Sequence, residues 1–63
     1  MKELDIVKLK CDEQGLTAGT EGTIVLEYDE TAFEVEFFDN NGETIDVLTI
    51  PAEKIELVTA YEH

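Results

Sequence analysis

Few side chains in this 63-residue chain could do chemistry. Cys11 is the single cysteine and His63 the single histidine. A thiol nucleophile needs a base beside it and a third group to orient that base. His63 is terminal, and nothing fixes it beside the loop that carries Cys11, so a Cys11–His63 pair is not expected to act. Cys11 reads instead as a small residue at a strand end. One cysteine cannot form an internal disulfide, which makes a reducing cytoplasm the expected setting.

The remaining chemistry lies in carboxylates. Sixteen acids face four lysines and no arginine, for a formal charge of −12 and a pI near 4.1. Glycoside-type acid–base work needs one acid held in an apolar pocket, and a small barrel has a filled interior. Asp39-Asn40-Asn41-Gly42-Glu43 is rich in oxygen ligands and superficially like a calcium loop. It lacks the EF-hand spacing, and no zinc pattern exists. No catalytic set, metal set or cofactor is therefore expected.

The charge is uneven. Residues 1–10 hold Lys2, Lys8 and Lys10 against Glu3 and Asp5, a net of +1, whereas residues 11–63 hold fourteen acids against Lys54, a net of −13. That surface repels nucleic-acid phosphates and anionic lipids, so neither direct nucleic-acid binding nor membrane binding is expected. Basic proteins, basic peptides and cations are the electrostatically suited partners. A large net charge also serves simple solubility. The apolar fraction of 43% suits a globular domain rather than an acidic disordered tail. No apolar run approaches the ~18 residues of a membrane span. Met1-Lys2-Glu3-Leu4-Asp5 does not read as a signal peptide, since acids interrupt it.

The elements that must position these groups are strands. β-Branched and aromatic residues come in short runs between turn signals. Leu4 to Lys10 is the first run, and Cys11 to Thr20, with Gly15 and Gly19, reads as a long loop. Gly22 to Tyr28 is the second run. Ala32 to Phe38 alternates cleanly, with Phe33, Val35 and Phe37 on one side and Glu34 and Glu36 on the other. Asn41-Gly42 is a strong hairpin signal. Glu43 to Ile50 is the fourth run, and its alternation breaks at Val47-Leu48, which suggests a bulge or a bend. Pro51 to Lys54 fits a 3₁₀ turn, and Ile55 to Val58 a short fifth strand. Residues 1–58 form the expected domain and 59–63 a tail.

Gly19-Thr20-Glu21-Gly22-Thr23-Ile24-Val25 resembles the first hairpin of KOW and other SH3-like modules. The chain is also similar to a small bacterial domain family of unknown function. That similarity rests on Leu4-Asp5-Ile6-Val7 and on Gly15-Leu16-x-Ala18-Gly19-x-x-Gly22-Thr23. It continues through Phe33-Glu34-Val35-Glu36-Phe37, Gly42-Glu43-Thr44 and Leu48-Thr49-Ile50-Pro51-Ala52. The resemblance implies an all-β, five-stranded SH3-like barrel with a 3₁₀ turn before the last strand. It also implies an antitoxin- or immunity-like partnership with a basic protein.

The expected core is Val7, Leu9, Ile24, Leu26, Phe33, Val35, Phe37, Ile45, Val47, Ile50, Ile55 and Leu57. The expected function is a non-enzymatic acidic protein-interaction module. Its partner-binding acids are Glu27, Glu34, Glu36, Glu43 and Asp46, expected to form one continuous face across neighbouring strands. Like charges so placed would weaken the sheet, each pair by roughly 0.2–1 kcal/mol. The alternatives are a KOW-like module associated with nucleic-acid machinery, acting through protein contacts or the basic first strand, and a weak divalent-cation-binding protein.

Overall fold

Alternation decides the most regular strand. Across AFEVEFF, residues 32–38, Phe33, Val35 and Phe37 are buried while the residues between them are half-buried. The computed structural model describes residues 1–61. In chain order the elements are β1 (Ile6–Leu9), β2 (Glu21–Asp29), β3 (Ala32–Phe38), β4 (Thr44–Pro51), a 3₁₀ turn (Ala52–Lys54) and β5 (Ile55–Thr59). All pairings are antiparallel, in the order β4-β3-β2-β1-β5.

Val7, Leu9, Ile24, Phe33, Val35, Phe37, Ile50 and Ile55 form one cluster, none more than 3% exposed. Ile50 and Ile55 lie on the two edge strands and are as buried as the centre. A flat sheet with no second layer cannot bury its edges in this way. The sheet is therefore wrapped around its own inner face. The expected barrel closure is not made: among the described residues no ladder joins β4 to β5. The 3₁₀ turn carries the chain from one edge to the other instead.

Four residues expected in the core, Leu26, Ile45, Val47 and Leu57, are 39–48% exposed. Register explains the first three. An extra residue, Val25, stands between the pairs Ile24↔Val35 and Leu26↔Glu34, which turns Leu26 to the outer face. Ile45 is itself an extra residue, between Asp46↔Phe37 and Thr44↔Phe38. Val47 lies opposite Glu36 and so shares its outer face, while Leu48, opposite Val35, packs on the core. The break in alternation at Val47-Leu48 thus reflects a bulge two residues earlier. Leu57 lies opposite Val7 on the inner row and is nevertheless 48% exposed, although Ile55 on the same edge strand is buried, which register does not explain.

The turns differ from expectation in type. Gly42 has φ +81°, as expected, but Asn41 does not have a positive φ. The Gly42 N–H donates to the Asp39 carbonyl and the Asp39 N–H to the Glu43 carbonyl, at 3.0 and 2.9 Å. That is a three-residue hairpin loop with Gly42 as its left-handed residue. The two-residue turn with both φ positive occurs at Gln14 and Gly15, inside the long loop, where Glu13 and Leu16 exchange backbone hydrogen bonds.

Asp5 ties the chain ends together. It is 5% exposed, and its carboxylate accepts the Lys2 N–H and the Tyr61 N–H, each at 2.8 Å. Thr59 belongs to β5, so the expected tail is in part held down, and Glu62 and His63 lie outside the described residues.

Gly22 lies at the start of the second strand as expected, one residue after Glu21, and its lack of a side chain admits the core. A Cβ there would stand 2.6 Å from Val35 Cγ1 and 2.9 Å from the Glu36 carbonyl oxygen. Gly22→Ala should cost about 1–3 kcal/mol through overpacking. Phe37→Ala should cost about 3–5 kcal/mol, most of the stability of a domain this small. Urea melts of both variants test the wrapped core; parent-like midpoints would refute it.

Asp29 closes the β2–β3 turn. Its Oδ1 accepts the Thr31 hydroxyl at 2.6 Å and the Thr31 N–H at 2.7 Å, which hold its pKa below the ordinary 3.8. A lowered folded-state value stabilises the fold above the unfolded pKa, and this is lost as pH falls through the folded value. Thr31→Ala, which removes the hydroxyl, should move the Asp29 titration back up towards 3.8, read by NMR of the side-chain carboxyl.

Candidate functional site

Residues directly opposite in an antiparallel ladder project to the same side. The register therefore defines the outer face. One row runs Thr49, Glu34, Leu26 across β4, β3 and β2. The next runs Val47, Glu36, Thr23, Ile6 and Thr59 across all five strands. Glu34 and Glu36 are half-buried, their stems flanked by these neighbours, and the Thr44 hydroxyl donates to Glu36 Oε2 at 3.3 Å. Leu26 and Val47 remain about two-fifths exposed at 39% and 44%.

The five acids read from the sequence do not form one face. Glu34 and Glu36 are brought together. Glu27 lies opposite Phe33, on the inner row, because the Val25 bulge reverses the parity of β2. It lines a shallow groove of about 560 Å³ with Met1, Lys2, Glu3, Glu30 and Phe33. Glu43 sits in the hairpin loop, its N–H donating to Asp39 Oδ1 at 3.0 Å. Asp46 lies opposite Phe37, and its Oδ1 accepts the Val47 N–H at 2.8 Å. Consequently no acid stands directly opposite Glu34 or Glu36 on either neighbouring strand. The expected cross-strand repulsion is absent there.

The lysines are partly spent. Lys8 pairs with Glu56 at 3.6 Å, and Lys54 is in direct contact with Glu13 of the long loop. The Glu13 hydrogen bond, then its charge, raises the Lys54 pKa above 10.5. The exposed Cys11 thiol is unpaired with any other cysteine. The Asp39 carboxylate is occupied by the Asn41 and Glu43 amides, so the candidate calcium loop is a hairpin turn held by its own acid. Among the described residues no three His, Cys, Asp or Glu side chains converge as a metal site would require, and no helix is long and apolar enough to cross a membrane.

A second groove, of about 690 Å³, separates the long loop from the β3–β4 hairpin, with Thr17, Thr20, Asp39 and Ile45 in its wall. Its polar groups largely bond one another: the Thr20 hydroxyl donates to the Thr17 carbonyl, and Asp39 caps its own loop.

The exposed apolar members of the outer face, Leu26 and Val47, were assigned to the core by alternation. The signal that locates Val47 is the doublet Val47-Leu48, where only one residue can face inward. Asp5 was also missed as a structural group. Its signal is parity, since Asp5, Val7 and Leu9 fall on one row and only the first is polar.

Because Glu36 has no acidic neighbour opposite it, neutralising it relieves nothing. Glu36→Gln should change stability by less than about 0.5 kcal/mol in thermal or urea unfolding. A gain approaching 1 kcal/mol would mean that the acids do repel across the sheet.

Comparison with known proteins returns no significant match among curated proteins or solved structures. A family profile does match, over residues 3–57, which is most of the chain and includes every strand but the last two residues of β5. The protein thus belongs to the family described as a domain of unknown function, DUF4926.

Proposed function

We propose that this chain is a non-enzymatic, SH3-like interaction module of a bacterial cytoplasm that binds a basic protein or peptide, in the manner of an antitoxin or immunity protein. One observation carries the reading. On the outer face of β2, β3 and β4, Glu34 and Glu36 stand between exposed Leu26 and Val47, with no basic side chain directly opposite either acid. Exposed apolar surface flanked by one sign of charge is suited to a cationic, amphipathic partner. The strand order, the long β1–β2 loop and the 3₁₀ turn before β5 support the SH3-like assignment. The free thiol of Cys11 suits a reducing compartment.

The nucleic-acid alternative is weakened by the engagement of Lys8 with Glu56, which takes a charge from the basic first strand. The cation alternative is weakened by the use of Asp39 within its own turn.

Stopped-flow association with a small basic protein tests the reading. The association rate should fall steeply with added salt. The double variant Glu34→Lys, Glu36→Lys should lower it about tenfold or more with little change in melting temperature. A salt-independent rate, or preferential binding of a short RNA, would overturn it.

A further inference from the structure

We propose that the free edge of β4 is the docking site, and that it receives an extended basic segment of the partner as an added sixth strand. This rests on the reading above of a basic partner and specifies how that partner is held.

Among the described residues β4 is an edge strand that pairs only with β3. From Asp46 to Pro51 its register with β3 is unbroken, which gives a regular six-residue template. Edges are usually blunted by lysines, bulges or shortness. β5, the other edge, is five residues long and carries an extra residue, Val58. β4 has eight residues, no lysine, and a single acid, Asp46. Its bulge, at Ile45, precedes the regular stretch, and its proline, Pro51, ends it.

The backbone groups on that edge are identifiable. The Ala52 N–H donates to the Thr31 carbonyl at 2.8 Å, which makes Thr31↔Ala52 a hydrogen-bonded pair from which the alternation along β4 counts, and the Val47 N–H donates to the side chain of Asp46. Glu36↔Val47 is therefore a non-hydrogen-bonded pair, and so is Glu34↔Thr49, one repeat further along. The N–H and C=O groups of Val47 and Thr49 thus point away from the sheet. The Thr49 carbonyl meets only a long contact, 3.4 Å, from the Gln14 amide of the β1–β2 loop. Both intramolecular partners are exposed side chains that an incoming strand displaces without disturbing a ladder.

Charge selects the occupant. A second copy would bring another −12 against this edge. A basic strand does the reverse. Its alternate side chains on the outer face would pass over Val47 and Thr49 towards Glu36 and Glu34, a distance of about two strand spacings, or roughly 10 Å, which Lys and Arg can span. Main-chain pairing supplies affinity and the alternate side chains supply specificity.

The test uses the whole chain and a capped decapeptide alternating Lys and Val, with a control of the same sequence N-methylated at alternate residues. The unmodified peptide should bind at low salt about tenfold more tightly than the control, which keeps the charge but loses the main-chain donors. Binding should slow hydrogen exchange at the Val47 and Thr49 amides of the unmodified protein. Val47→Pro, which removes an N–H outside any ladder, should weaken binding about tenfold with the melting temperature largely retained. The amide readout needs no variant, so it stands if Val47→Pro fails to fold. Equal, salt-dependent binding of both peptides with no protection at Val47 and Thr49 would overturn the edge site while leaving the acidic-module reading intact. Binding of neither peptide would overturn that reading itself. Self-association of the chain through protected Val47 and Thr49 amides would overturn the choice of occupant.

Discussion

The structure depends on one constraint: a single sheet must supply both sides of its own core. Among the described residues no helix or second sheet covers the inner face, so the five strands wrap until Ile50 and Ile55, at opposite edges, join the same cluster as Val35 and Phe37. Wrapping requires local excess length. Val25, Tyr28, Ile45 and Val58 are each the extra residue at a register shift, and each is 40–54% exposed. Such bulges increase twist and bend a strand. Much of the exposed apolar surface is therefore a by-product of how the sheet curves.

The loops serve the same constraint. Residues 10–20 fold back on a two-residue turn and are anchored at both ends. The Leu9 N–H reaches the Thr20 carbonyl, the Gly19 N–H reaches the Leu9 carbonyl, and Lys10 bonds to Lys54. The Glu13–Lys54 pair fastens the loop to the 3₁₀ turn that crosses between edges. Gly22, beneath Val35 and Phe37, lets the backbone of β2 approach where the core is densest.

Period-two alternation made β3 legible to the residue, and turn chemistry located Gly42 and the 3₁₀ turn after Pro51. Eight of the twelve expected core residues are buried because their strands keep register there. What failed was parity beyond a bulge. Sequence alternation carries no count of extra residues, so Leu26 and Glu27 exchanged faces, and with them the idea of a five-acid patch. Glu34 and Glu36 share one face because the β3–β4 register has no shift between Phe33 and Phe37. Asp5 was read only as a charge near the start, since one of its partners, Tyr61, lies 56 residues away in sequence.

The Asp5 carboxylate has a topological consequence. Its two oxygens hold amides from the first and the last described segments, at Lys2 and Tyr61. Those two segments therefore meet at one point, which nearly closes residues 2–61 into a loop. A short linker would complete the circle without moving a strand, and the hairpin at Asn40-Asn41, exposed on the far side of β3, would be a natural place to reopen it. A permuted chain of that kind would begin at β4 and would form the β4–β3 pairing last in sequence, between its two new ends. The order of the strands along the chain is thus separable from their order in the sheet.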